Sequence, residues 1–164
     1  KIIPEEGIID EKALDHYRDV CIALIDSGIT PFITLHHFTN PIWFEELGGF
    51  EKEENIDHFI KFSEIVFNHL SDIVKYWCTI NEPAVYVSQG YFYGVFPPGK
   101  KDPKLAGTVM RNLLFAHIKA FHHLKKLENI LLVLIMKVYH HSLNFLLMGI
   151  VAILTFLQVF MKTN

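Results

Sequence analysis

The stretch that decides the fold is Val74-Lys75-Tyr76-Trp77-Cys78-Thr79-Ile80-Asn81-Glu82-Pro83. Its first part is rich in β-branched and aromatic residues, which predicts a strand over 74–81. Pro83 disfavours helix at the residue before it and cannot donate a hydrogen bond to a sheet, so the strand ends at Asn-Glu-Pro. An amide and a carboxylate are therefore placed where a strand ends, which is where barrel enzymes carry their chemistry.

A second strand ends in a similar polar cluster. Residues 29–37 are almost continuously apolar, as is typical of a parallel strand covered by helices, and they run into His36-His37-Phe38-Thr39-Asn40-Pro41. Helical spacing of apolar residues predicts helices at 11–26, 53–70, 84–91 and 104–127. Helix, strand, helix, strand is the order of an α/β fold, in which the site lies at the carboxyl ends of the strands.

Composition limits the function classes. The chain has 164 residues and a net charge of −3, which gives no electrostatic case for binding nucleic acid. Cys21 and Cys78 fall in apolar patterns and are expected to be buried, reduced thiols, as in a cytoplasmic protein. The chain opens on Lys1 and not on Met, so we expect a piece of a longer protein.

Charge disappears near the C-terminus. After residue 129 the charged residues are Lys137 and Lys162, which predicts a boundary between a domain at 1–128 and an apolar, helical tail at 129–164. Segment 143–161 carries no charge and is long enough to cross a bilayer as a helix. Three interpretations stay open: an aberrantly joined reading frame, a membrane helix, or a core segment of an unusual fold.

Glu82 is a candidate general acid. A carboxyl that protonates a leaving oxygen works best with a raised pKa, which a partly desolvated site rimmed by aromatic rings supplies. Asn81 could hold a substrate hydroxyl. The alternative is that Asn-Glu-Pro is only a capping turn. Adjacent His36 and His37 point to opposite faces of a strand, so we predict no metal site there.

Other aromatic residues allow two interpretations. They can line a sugar-stacking mouth, or they can pack in the core. The residues concerned are Trp43, Phe44, Tyr91, Phe92, Tyr93 and Phe96.

The two motifs together resemble glycoside hydrolase family 1. Thr34-Leu35-His36-His37-Phe38 with Pro41 and Trp43, followed at matching spacing by Trp77 to Pro83, carries the resemblance over about 1–128. It implies the third and fourth strands of a (β/α)8 barrel that hydrolyses β-linked glucosides with retention and without a cofactor. It further implies Glu82 as acid/base, Asn81 at the sugar 2-hydroxyl and His37 as a sugar ligand. Phe38 takes a substrate-contacting position where many members have Trp.

The resemblance also implies a second carboxylate, the nucleophile, in a Thr-Glu-Asn-Gly type motif that this sequence lacks. After Glu82 the carboxylates are Asp102 and Glu128, and neither has that context. We therefore expect a partial β-glucosidase that is inactive alone. The alternative is a non-catalytic sugar-binding or membrane-associated module, with membrane contact through 143–161. The preferred sugar is not predicted, because its determinants lie in the missing strands.

Overall fold

The protein folds as helices that alternate with parallel strands. A computed structural model describes residues 1–127 and the backbone of 131–135. Its regular elements, in chain order, are α1 (Glu11–Asp26), β1 (Phe32–His36), α2 (Ile42–Glu46), α3 (Ile56–Leu70), β2 (Tyr76–Asn81), α4 (Pro83–Val87), α5 (Pro103–Leu127) and β3 (Leu131–Ile135). The α/β class that the sequence predicts is confirmed.

Local sequence sets the ends of the long helices. The carboxylate of Asp10 accepts a hydrogen bond from the backbone N–H of Ala13, at 3.1 Å, and so caps α1. Gly28 follows α1 with φ +75°, a left-handed conformation that turns the chain towards β1. Asp102 caps α5 by accepting from the backbone N–H of Lys104 at 2.9 Å. Each such cap stabilises its helix by about 1 kcal/mol.

The sheet has three parallel strands in the order β1-β2-β3. Phe32 of β1 lies beside Tyr76 of β2, and His36 lies beside Ile80. Parallel pairing needs a crossover between successive strands, and α3 and α5 supply these two crossovers. Because the strands run in one direction, their carboxyl ends meet at one edge of the sheet.

The third strand lies in the segment that the sequence assigns to the tail. β3 pairs in parallel with β2, so the first part of segment 129–164 forms a strand, whereas the sequence predicts helix. A short, uninterrupted apolar run is typical of a parallel strand, and residues 131–135 form such a run. Segment 143–161 lies outside the described residues. Among those described, no helix is both long and apolar enough to cross a membrane.

The core lies between the sheet and its helices. α3 and α5 pack against each other, and α5 also contacts β2. Trp77 of β2 is fully buried, and its ring centroid is 5.1 Å from that of Phe67 on α3. The buried hydroxyl of Thr79 lies 2.7 Å from Nδ1 of His117 on α5. This contact links β2 near its carboxyl end to α5.

Two segments differ from the sequence prediction. Residues 41–51, for which the sequence predicts no helix, contain α2, which begins directly after Pro41. The helix predicted at 84–91 is α4 followed by a π-helical turn at Ser88–Phe92. Gly90 lies in that turn, and a Cβ there would be 2.9 Å from the carbonyl oxygen of Pro97. The close approach of the following loop, which periodicity does not report, accompanies the change of helix type.

We expect the free energy of unfolding to fall as the pH drops below about 6.5, because two buried imidazoles are neutral in the fold. Burial lowers the pKa of both His36 and His117 to about 4. The unfolded chain binds these protons first, so their contribution is complete above pH 6.5 and is lost on the way down to pH 4. Urea titrations should find a loss of about 2 kcal/mol per imidazole by about pH 5.

His117→Gln, which cannot take up this proton, should show about 2 kcal/mol less pH dependence than the wild type over that range. The matched control is His16→Gln, because His16 lies exposed on α1. Equal pH dependence in His117→Gln and the wild type would contradict the prediction.

Candidate functional site

The carboxyl ends of β1 and β2 bring the two polar clusters together. Nδ2 of Asn81 lies 3.3 Å from Nε2 of His37, although 44 positions separate the residues in the chain. His37 is exposed and Asn81 is half-buried, so the pair faces solvent. A side-chain amide and an imidazole offer both donors and acceptors, and together they suit a ligand that carries several hydroxyl groups.

Glu82 follows this pair at the turn from β2 into α4. Its backbone is left-handed, with φ 41° and ψ 59°, an uncommon conformation for a residue with a Cβ. Its carbonyl oxygen accepts from the backbone N–H of Val85 at 2.9 Å and of Tyr86 at 3.2 Å. Its carboxylate makes no capping hydrogen bond to the helix. The backbone of Glu82 therefore starts α4, and the half-buried side chain is not used in building the turn.

Phe38 extends the site towards an aromatic surface. Its φ is 69°. Within the described part of the chain, Phe38 and Glu82 are the two residues other than glycine that have a positive φ. Its ring centroid lies 4.9 Å from that of His37 and 6.1 Å from that of Phe96. Both strained residues thus lie just after adjacent strand ends. Strain of this kind costs about 1–3 kcal/mol per residue and concentrates at functional sites.

His36 is separated from this surface, as expected for adjacent residues of a strand. It is 4% exposed, and aromatic rings meet it edge-on, with that of Tyr86 nearest at 5.2 Å between centroids. Burial lowers its pKa to about 4, while Asn40 acts in the opposite direction. His36 therefore serves as a neutral packing residue. Across the described residues, no three potential metal ligands come together.

The loop at 92–99 positions Phe96. Backbone N–H groups of Val95 and Phe96 both donate to the carbonyl oxygen of Gln89, at 2.7 and 3.0 Å. Lys100 then donates to the carbonyl oxygen of Gly90 at 2.9 Å. The loop is thus folded back on the π-helical turn by its own backbone. Phe96 is not needed to close it, and its ring remains 36% exposed beside Phe38.

The other aromatic residues are placed elsewhere. Trp43 and Phe44 line a cavity of about 280 Å³ that is bounded by His36 and not by His37. Tyr91 is fully buried in the core. Phe92 and Tyr93 contact each other. Of the six aromatic residues that the sequence offers, Phe96 is the one whose ring is in contact with Phe38.

Two residues that sequence reasoning missed join the loop after β1 to α4. Nδ2 of Asn40 donates to the hydroxyl oxygen of Tyr86 at 3.0 Å and to Oε1 of Glu45 at 2.5 Å. Tyr86 is 1% exposed. One signal was available in the sequence, since Asn40 belongs to the polar cluster after the first strand. No local pattern reveals its partner 46 positions away.

Two of the chain's other carboxylates have defined structural contacts. Asp102 caps α5, and Glu45 accepts from Asn40. Glu128 lies outside the described residues. Glu82 is the carboxylate that directly follows Asn81 of the Asn81–His37 pair.

Comparisons with known proteins agree with this geometry. The sequence model of glycosyl hydrolase family 1 matches residues 1–142. Beta-glucosidase A of Acetivibrio thermocellus is 40% identical over 121 residues, or 73% of this chain and 27% of that protein. A solved beta-glycosidase from Pyrococcus horikoshii matches with a TM-score of 0.73 and 44% identity, covering 76% of this chain and 29% of that one. For the beta-glucosidase from Thermotoga maritima in complex with deoxynojirimycin, the TM-score is 0.77 at 34% identity, covering 79% and 30%.

The chain spans about a quarter of the length of the curated relatives that it matches. The motifs in the sequence carry the resemblance to about residue 128. The family match continues to residue 142 and includes β3. The structural neighbours are barrel enzymes, so the sheet of three parallel strands corresponds to part of a barrel. With the histidine and Asn-Glu-Pro motifs at adjoining strand ends, these matches show that the chain belongs to glycosyl hydrolase family 1.

Proposed function

We propose that this chain carries the acid/base half of a retaining β-glycosidase site. In this proposal Glu82 is the general acid/base, Asn81 and His37 hydrogen bond to sugar hydroxyls, and Phe38 contacts the sugar ring. The observation that carries the proposal is the 3.3 Å contact between the side chains of Asn81 and His37. Asn81 directly precedes Glu82 in the chain. The names of the relatives, beta-glucosidase and beta-glycosidase, support a β-linked glucoside or related sugar as the ligand.

The proposed chemistry uses Glu82 in two steps. It first protonates the oxygen of the leaving group while a second carboxylate attacks the anomeric carbon, and it then takes a proton from the water that releases the sugar. Asn81 would donate its amide N–H to the 2-hydroxyl, a contact that strengthens in the transition state. Glu82 suits this role because its carboxylate is not used to cap α4.

The second carboxylate is the missing part. Retention requires two carboxyl groups about 5–5.5 Å apart, and the 164 residues contain no Thr-Glu-Asn-Gly motif. Asp102 is used as a helix cap. We therefore propose that the chain by itself binds sugar without hydrolysing the glycosidic bond, and that hydrolysis needs barrel strands beyond those present here.

A sugar-binding module without catalysis is the second candidate, and one observation favours it. The rings of Phe38 and Phe96 form an aromatic surface beside the polar Asn81–His37 pair. A pyranose has hydroxyl groups at its edge and C–H groups on its faces, so such a surface can bind it without any reaction. Membrane contact through 143–161 concerns a segment that lies outside the described residues.

We also propose a reducing, cytoplasmic setting. Cys21 and Cys78 are both buried thiols, and burial raises the pKa of the Cys21 thiol. A buried thiol of raised pKa reacts slowly, which suits Cys21 to a packing role in the core.

The pure chain should bind methyl β-D-glucoside but should not release 4-nitrophenol from 4-nitrophenyl β-D-glucoside, because the nucleophile is missing. Ligand-observed NMR measures the binding, and absorbance measures the release. Asn81→Ala or His37→Ala should weaken binding about three- to tenfold, the effect of losing one hydrogen bond. Asn68→Ala is the matched control, because Asn68 lies exposed on α3.

Two results would overturn this proposal. The first is turnover by the wild type that disappears in Glu82→Gln, which would mean that the chain is itself an enzyme. The second is binding that is equal in the wild type, Asn81→Ala and His37→Ala, which would place any sugar site elsewhere.

Phe96→Ala should weaken binding of the glucoside about two- to tenfold, the effect expected for loss of one aromatic contact. Tyr93→Ala is the control, because Tyr93 is an exposed ring of the same loop that contacts Phe92. Equal affinity of Phe96→Ala and Tyr93→Ala would remove the aromatic surface from the binding site.

Glu82→Gly should be more stable than Glu82→Ala by about 1 kcal/mol, because glycine adopts the left-handed backbone without a Cβ clash. Both variants lose the carboxylate, so the difference reports the backbone conformation at φ 41°. Urea unfolding of the two variants at neutral pH measures it. Equal midpoints would mean that Glu82 carries no backbone strain.

A further inference from the structure

We propose that Asn40 and Tyr86 are positioning residues, which hold the segment with His37 and Phe38 against the helix that starts at Glu82. The inference rests on the proposed function, because it assigns how that site keeps its shape. Asn40 and Tyr86 do not belong to the motifs that carry the resemblance to the family. They act through the residues that would contact the sugar and do not themselves touch it.

The side chain of Asn40 joins two elements at once. A side-chain amide nitrogen carries two hydrogens. Nδ2 of Asn40 donates to Oε1 of Glu45 on α2 at 2.5 Å and to the hydroxyl of Tyr86 on α4 at 3.0 Å. The two donors are both used, so α2, the loop after β1 and α4 are connected at one atom.

Each end of the Asn40–Tyr86 bond is close in the chain to a residue of the site. Asn40 follows Phe38 by two positions, in the segment that leaves β1. Tyr86 lies in the first turn of α4, and its backbone N–H donates to the carbonyl oxygen of Glu82 at 3.2 Å. A shift of α4 relative to the loop would therefore change the position of Glu82 relative to His37.

The environment of Tyr86 makes this connection rigid. Its side chain is almost fully buried, and its ring meets that of His36 at 89° with centroids 5.2 Å apart. Burial raises the pKa of Tyr86 to about 12, and the Glu45 carboxylate acts in the same direction, so the hydroxyl stays protonated at neutral pH. The neutral His36 ring packs edge-on against the Tyr86 ring, and Asn40 donates a hydrogen bond to the Tyr86 hydroxyl oxygen.

The surface contact of the site needs such support. Asn81 and His37 meet at 3.3 Å where the structure is exposed to water, and an exposed hydrogen bond of that length stabilises little. The Asn40–Tyr86 bond is partly buried, and it joins the segment after β1 to the helix that follows β2. It would therefore determine whether His37 and Asn81 stay together when no sugar is bound.

Tyr86→Phe is the direct test, because it removes the hydroxyl and keeps the ring that packs on His36. We expect loss of the nuclear Overhauser effect between the His37 ring and the Asn81 side-chain amide. We also expect about three- to tenfold weaker binding of methyl β-D-glucoside. Ser63→Ala is the control, since it removes a fully buried hydroxyl on α3 that donates to the carbonyl oxygen of Phe59 and not to Asn40 or Tyr86.

A double variant separates positioning from general loss of stability. If the effect passes through this one bond, Asn40→Ala with Tyr86→Phe should reduce sugar affinity no further than Asn40→Ala alone. Urea unfolding of Tyr86→Phe and Ser63→Ala measures the stability that each variant loses. If the His37–Asn81 contact is lost in Tyr86→Phe and kept in an equally destabilised Ser63→Ala, the loss does not come from lower stability.

The inference is overturned if Tyr86→Phe keeps both the His37–Asn81 Overhauser effect and the affinity, or if Ser63→Ala loses them equally. Failure of the proposed function gives a different result. The wild type would then bind no glucoside, whereas the Overhauser effect in the free protein would still report on the Asn40–Tyr86 bond.

Discussion

Parallel pairing between β1 and β2 is the interaction on which the rest of the structure depends. With His36 beside Ile80, the residues that follow each strand leave the sheet at the same level. Each segment then adopts one left-handed residue, Phe38 in the first and Glu82 in the second. A shift of one position in the register would reverse the side chains of one strand. It would then separate His37 from Asn81.

Much of the local structure follows from short-range rules. Asp10, Gly28 and Asp102 determine helix ends because capping depends on a few neighbouring atoms. The strand at 76–81 and the separation of His36 from His37 follow from alternation along an extended chain. For these features the sequence is sufficient, because the interactions that form them span only a few residues.

Contacts between residues far apart in the chain could not be predicted from the sequence, and the reason is again physical. Asn40 reaches Tyr86 across 46 positions, and Thr79 reaches His117 across 38, so each pair becomes visible only once the helices are placed. β3 was missed because an apolar run of five residues fits a buried strand and an apolar tail equally well. The aromatic residues were ambiguous for the same reason, since a core ring and a ring at a binding site have the same local pattern.

The contact between Gly90 and Pro97 has a consequence for how this family member can vary. A Cβ at Gly90 would stand 2.9 Å from the carbonyl oxygen of Pro97, and one at Gly94 would stand 2.9 Å from that of Gly99. The loop is thus fitted to the turn beneath it backbone against backbone. An inserted or deleted residue would break that fit, whereas a change at position 96 would leave it intact. Length is therefore the constrained property of this loop, whereas its outward side chains can change without altering the backbone fit.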